Sequence, residues 1–189
     1  GVVGIATLVL GFVEILTETG INIFLVQEQK KIDSYVHTAW IVSIARGFLV
    51  GLLILASAPF VAAFFGTGDA LLPLLLISLV PMFRGFINPS VVKFQNELRF
   101  DKEFWFRFCV FSADSAFSIV LALITRDATS IIWGFIIGAF VEVVLSFLLV
   151  RPIPRFAFET EKLMRVLHRG KWITVAGILE YVFRHGDDI

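Results

Sequence analysis

Five stretches of this chain, residues 1–26, 39–65, 70–92, 104–125 and 131–150, are each apolar for long enough to cross a bilayer. A helix needs about 20 such residues to span a hydrocarbon core of about 30 Å. A sixth stretch opens at Trp172 and reaches the last residue, Ile189. Inside lipid the backbone must satisfy its own hydrogen bonds, so only helices and closed barrels can span. The ten-residue alternation of barrel strands is missing here, and helices are expected. Composition agrees: 58% of residues are hydrophobic and 17% charged, against about 45–50% and about 25% in soluble domains. The expected fold is all-α, a polytopic transmembrane helix bundle, and the twenty-one Phe residues suit a surface that meets lipid.

The breaks between the stretches orient them. Lys30 and Lys31 lie in the first break, Lys93, Arg99 and Lys102 in the third. Arg151, Arg155, Lys162, Arg165, Arg169 and Lys171 lie in the last, whereas the second has no Lys or Arg and the fourth only Arg126. Short loops rich in Lys and Arg stay in the cytoplasm, so the first, third and fifth breaks are expected on that side. Trp40, Trp105, Trp133 and Trp172 each fall at the start of a stretch, where an indole at the headgroup level is shielded and its N–H is wet.

The expected organisation is five transmembrane helices over residues 1–150, a cytoplasmic linker over 151–171 and the start of another helix over 172–189. The Arg-Pro-Ile-Pro run at 151–154 stops a helix. Beyond it, Leu163, Val166 and Leu167 recur at helical spacing while Lys162, Arg165 and Arg169 face elsewhere. An amphipathic helix on the membrane surface and a solvated basic linker both fit that pattern. The chain starts at Gly1 inside an apolar run, without an initiator Met or basic leader, and stops inside another. An internal fragment of a longer protein is expected.

Ionisable side chains near a bilayer centre cost about 2.5–3.5 kcal/mol each on insertion scales, so those present need a reason. Glu14 and Glu18 share a face of the first stretch. Arg46 lies in the second, Arg84 in the third, Asp114 in the fourth and Glu142 in the fifth. Measured along straight helices, Arg46 and Arg84 would sit about 10 and 12 Å from the cytoplasmic ends of their stretches. Arg107 is close enough to its end to snorkel. Two readings stand: these groups pair with one another and lock helix packing, or they line a water-filled cavity whose inner half is cationic and suits a phosphate-bearing substrate. Pro73, Pro81 and Pro89 share the third stretch with Gly85, which gives either a hinge or a fixed kink.

Enzymatic chemistry has no visible seat. The sequence has no P-loop, no HExxH, no DxD-type cluster in a loop and no Ser/His/Asp grouping. The single Cys109 excludes an internal disulfide and is read as a buried apolar thiol. No catalytic residue, metal, cofactor or nucleic-acid partner is expected, and the outer loops are too short for the catalytic face of a membrane glycosyltransferase.

Three phrases carry a family resemblance. GIATLVLGFVEILTETGINIFLVQ at 4–27 resembles the second helix and following turn of polysaccharide flippases. APFVAAFFGTGDALLPLLLISLVPMFRGFINPSVVKFQNELRF at 58–100 resembles their third-to-fourth helix passage, with its "aP.ia.ff" ending and tiny outer loop. GKWITVAGILEYVFRHGDDI at 170–189 resembles the start of their seventh helix. The family is the Wzx-like, polysaccharide-transporter branch of the multidrug/oligosaccharidyl-lipid/polysaccharide exporter superfamily. The resemblance implies helices two to six of the N-terminal lobe of a two-lobe flippase fold, then the linker and helix seven. It implies a multi-pass protein of the bacterial cytoplasmic (inner) membrane that flips a lipid-linked oligosaccharide, carried on undecaprenyl pyrophosphate, by alternating access. The setting would be synthesis of a cell-surface polysaccharide such as O-antigen, lipopolysaccharide or exopolysaccharide, with membrane lipids, a coupling ion and a glycan polymerase as partners. Arg46 and Arg84 would then meet the pyrophosphate, and Glu14, Glu18, Asp114 or Glu142 the sugar or the coupling ion. Two alternatives remain: a drug or organic-cation antiporter of the same superfamily, and a non-transporting scaffold of a glycan-assembly complex.

Overall fold

The second apolar stretch becomes α1, Ile32–Phe64, a helix of 33 residues. It belongs to a computed structural model that describes residues 8, 25, 32–64, 66, 71–127, 129–157, 163 and 164, among which all regular structure is helical. At 1.5 Å per residue α1 is about 50 Å long, well beyond the hydrocarbon thickness. It starts seven residues before the expected boundary at Ala39. Residues 32–38 look like loop by polarity, but Tyr35, Val36, Thr38 and Ala39 are buried. Tyr35 and Ala39, one turn apart, pack with Leu25 and Val92. Tertiary packing thus extends the helix past the point where hydropathy ends.

The third stretch, expected as one span over 70–92, is broken. It contains α2, Leu71–Ile77, then α3, Leu79–Arg84, a turn at 85–88 and a 3-10 turn, Pro89–Val92, and α4, Lys93–Asn96, follows in the polar break beyond it. The chain direction changes by 71° across the break. Pro73 sits in the first turn of α2, where a missing N–H goes unnoticed. Pro81 cannot bond the Ile77 carbonyl, and α2 gives way to α3 at Ser78, whose hydroxyl donates back to Leu75 O at 2.6 Å. Asn88 is held extended (φ −67, ψ 115), as a residue before proline must be. Its Oδ1 accepts the Ser90 N–H at 3.0 Å and caps the new turn. Asn-Pro-Ser is a start signal embedded in an apolar run.

The fourth and fifth stretches follow expectation closely as α5, Phe100–Thr125, and α6, Thr129–Leu149. Arg126 ends α5 in the left-handed region (φ 51), its N–H donating to Ala122 O. Asp127 accepts both the N–H and the hydroxyl of Thr129, at 3.4 and 2.6 Å, ahead of α6. α6 stops at Leu149, one residue short of the Arg-Pro-Ile-Pro run.

α2 and α3 pack between α1 and α6, and α5 packs along α6. The main core joins Val50 and Ile54 of α1, Ile77, Val80 of α3, and Ile132, Ile136 and Ala139 of α6. Two Gly-x-x-x-Gly pairs set the closest approaches. A Cβ on Gly47 would lie 2.5 Å from Pro81 O and 2.9 Å from Gly85 Cα, so backbone meets backbone there. Gly134 and Gly138 of α6 make the same room for Asp114 of α5. The outward side of α5 exposes Phe104, Phe108, Phe117 and Leu123. Cys109 is exposed there too, contrary to the buried thiol expected.

Three helices, Asp33–Phe64, Phe100–Thr125 and Thr129–Leu149, are long and apolar enough to cross a membrane, and the broken span makes a fourth if counted as one. The chain is a polytopic membrane protein. Its first, third and fifth breaks converge at one end, as the loop charges require. Lys93 Nζ lies 2.6 Å from Asp33 Oδ1, the Arg155 N–H donates to His37 Nδ1 at 3.0 Å, and the Ser90 hydroxyl donates to Pro152 O at 3.0 Å. The first stretch apart from Leu8 and Leu25, most of the amphipathic segment at 156–171 and the stretch from Trp172 lie outside the described residues.

Candidate functional site: a charged cavity at the broken span

Non-helical backbone at membrane depth is tolerated where it is buried in protein or lines a polar cavity. The turn at 85–88 does both. Gly85, Ile87 and Asn88 line a cavity of about 590 Å³, within the usual range for small-molecule sites. α1 contributes Ser43, Arg46 and Gly47 to its wall, α3 contributes Arg84, and α4 contributes Gln95. From α5 come Glu103, Phe106, Arg107, Val110, Phe111 and Asp114, and from α6 Phe135 and Glu142. The α5 set follows from spacing, since 103, 107, 110 and 114 recur on one helical face.

Four of the six sequence-predicted residues, Arg46, Arg84, Asp114 and Glu142, therefore share one cavity. Glu14 and Glu18 lie outside the described residues. Arg84 Nε lies 3.4 Å from Glu142 Oε2, with the two side chains 27% and 23% exposed and the facing atoms sealed from solvent. The pairing and cavity readings thus meet in the same residues. Asp114 Oδ1 accepts the Ser118 hydroxyl at 3.4 Å, one turn along α5. Among the described residues Arg46 makes no ion pair.

Several sequence-based placements need correction. Arg84 is shallower than 12 Å, because after a 71° bend the residues beyond it advance only about a third of their length along the first half's axis. Arg107 is not merely a snorkelling cation. It lines the cavity, and its Nε donates at 3.0 Å to Glu103 Oε1, which also accepts Gln95 Nε2 at 2.9 Å. The signal was present as an i, i+4 Glu–Arg pair on the Asp114 face. The lining therefore carries three cations and three carboxylates, rather than a cationic half alone.

Trp40 is corrected as well. Trp105 and Trp133 are exposed, as boundary anchors should be, but Trp40 is only 7% exposed. Its indole N–H donates to Phe86 O at 3.0 Å. In an unbroken helix that carbonyl would accept from Ser90, whose N–H has gone to Asn88 instead. The Trp40 ring also packs on Phe147 and Phe156, at centroid distances of 6.0 and 4.7 Å.

Asn88 is the residue sequence reasoning passed over. It is fully buried, and four of its groups are bonded, the carbonyl accepting the Val91 N–H at 3.1 Å. Its N–H donates to Ser146 Oγ at 3.0 Å, Oδ1 accepts from Ser90, and Nδ2 donates to Pro152 O at 3.2 Å. An Asn directly before Pro inside an apolar stretch was the available signal.

No curated protein and no solved structure matches the chain. The family model described as polysaccharide biosynthesis protein matches residues 1–189, and the chain therefore belongs to that family.

Proposed function

We propose that this chain is part of a flippase that moves a lipid-linked oligosaccharide across the bacterial cytoplasmic membrane for surface polysaccharide synthesis. In this reading the chain is an internal fragment of the Wzx-like branch and supplies most of the N-terminal lobe, with alternating access between two lobes as the mechanism. The observation that carries the reading is Arg46, half-buried in the wall of a cavity at the convergent basic end of the bundle and without an ion pair among the described residues. A guanidinium in such a setting suits a phosphate or pyrophosphate head. Arg84 and Arg107, already paired with Glu142 and Glu103, shape the wall around it. The protein acts as a transporter, not an enzyme, and works without a cofactor. A coupling ion and a glycan polymerase are its further partners.

The test is translocation of a lipid-linked glycan by the full-length protein in proteoliposomes. Arg46→Ala is expected to lower the rate at least about tenfold, since a charge-assisted hydrogen bond contributes about 1.5–3 kcal/mol. Lys102→Ala, an exposed cation at the same end and outside the cavity, serves as comparator and keeps the parental rate. Equal rates in both variants at normal expression would sink the proposal. Glu103, Asp114 and Glu142 in the same wall favour a second reading, an antiporter for organic cations. Cation efflux that survives Arg46→Ala and fails in Asp114→Asn would support it.

A further inference from the structure

The chain leaving α6 does not simply run off the bundle. Residues 152–156 lie across the cytoplasmic end as a strap, and each of their neighbours belongs to a part of the molecule already tied to the cavity. Pro152 O accepts two donors from the break, Asn88 Nδ2 at 3.2 Å and the Ser90 hydroxyl at 3.0 Å. The Arg155 N–H donates to His37 Nδ1 on α1 at 3.0 Å. Phe156 packs on Trp40, with centroids 4.7 Å apart, and Trp40 in turn holds Phe86 O.

Asn88 therefore faces two ways. Its position in the cavity wall is set by α6 through Ser146, and its side-chain amide reaches the strap. Ser90 and Asn88 are partners of one another as well, so a displacement of Pro152 is felt by both at once. Local motions follow the elements with the fewest buried apolar contacts. In the turn at 85–88 the Gly85, Phe86 and Ile87 N–H groups bond back to Pro81, Phe83 and Arg84 O, and the ladder is interrupted at Asn88, whose N–H turns to Ser146.

We propose that the strap at 152–156 is a latch on the broken span. Asn88 is its positioning residue, so that movement of the chain beyond residue 157 reshapes the cavity wall. With the strap seated, the break keeps the geometry described. With the strap lifted, Asn88 Nδ2 and Ser90 Oγ lose their acceptor, Trp40 loses Phe156, and the wall from Gly85 to Val91 opens. The inference rests on the fold and not on the ligand carried, so it stands or falls separately from the flippase reading.

The experiment follows thiol labelling of the full-length protein in liposomes by a membrane-impermeant maleimide, in a Cys109→Ser background. One reporter, Val91→Cys, sits in the cavity wall, and the other, Pro154→Cys, replaces the buried residue of the strap. The double variant Asn88→Ser/Ser90→Ala removes both donors to Pro152 O while leaving a residue that caps the 3-10 turn. Labelling is expected to rise about fivefold at both reporters. Faster labelling on the strap with an unchanged rate at Val91→Cys would overturn the latch, because the strap would then move without the wall. Unchanged rates at both reporters would overturn it too. Should the double variant fail to fold, Ser90→Ala alone removes a single donor and is expected to raise both rates about twofold. An unchanged cavity rate in that variant has the same meaning.

Discussion

The α5–α6 hairpin and the broken span are built from similarly apolar sequence and end as opposite structures. In the hairpin both helices run their full length, and the connection satisfies itself. Arg126 closes α5, and Asp127 serves Thr129 and accepts the Ser130 hydroxyl at 2.7 Å. In the broken span, besides the local cap at Asn88, polar groups freed by the break are met from far along the chain. Trp40 serves Phe86, Ser146 serves Asn88, and Pro152 accepts from Asn88 and Ser90. Hydropathy decides that a segment enters the membrane. Whether it may leave helical geometry there depends on partners supplied by other segments.

That contrast can be broken at its tightest point. Gly47→Ala places a methyl against the Pro81 carbonyl and Gly85 Cα, where no side chain can move aside, and should destabilise the protein by about 3 kcal/mol. In the hairpin the nearest atoms to a Cβ on Gly138 are those of Asp114, beginning with its Cβ at 3.0 Å, so Gly138→Ala should cost only about 1 kcal/mol. Denaturation in detergent would measure both, and equal losses would mean that the two interfaces are alike. A smaller effect comes from Trp40→Phe, which keeps the ring and strands Phe86 O, at about 1–2 kcal/mol. Trp105→Phe, at an exposed position, should stay within about 0.5 kcal/mol. The smallest difference belongs to the hairpin loop: Asp127→Ala should cost about 1 kcal/mol or less and leave labelling in the cavity unchanged.

Legibility in the sequence divides along the same line. The two hairpin helices were placed to within a few residues because length, polarity and capping chemistry all change at the same points. That the first, third and fifth breaks share one end was legible because loop charge is independent of packing. A kink in 70–92 was legible from Pro73, Pro81, Pro89 and Gly85, but its place was not, because the stretch remains apolar on both sides of Asn88 and a count of hydrophobic residues does not register a cap. Trp40 shows a similar ambiguity: a tryptophan eight residues beyond the start of a helix suits a headgroup and a freed carbonyl equally well. Of the cavity, Arg46, Arg84, Asp114 and Glu142 were visible as costly charges. Arg107 was set aside by its nearness to the helix end and Glu103 fell in the third break, although their spacing puts them on the Asp114 face. The Gly-x-x-x-Gly pairs were also present in the sequence, and what they admit is known only from the partner helix.

The length of the first half of the broken span has an electrical consequence. The described part of that half, Leu71–Arg84, rises about 21 Å, against about 30 Å for the hydrocarbon layer. Water standing in the cavity up to Arg84 would carry the potential of the basic end inward with it. The transmembrane voltage, about 2.3 kcal/mol per charge at 100 mV, would then fall across the remaining 21 Å or so of α2 and α3. A charged group crossing from the cavity to the far side would do all of its electrical work over that shortened distance, and the field there would be about half as strong again as in the surrounding bilayer.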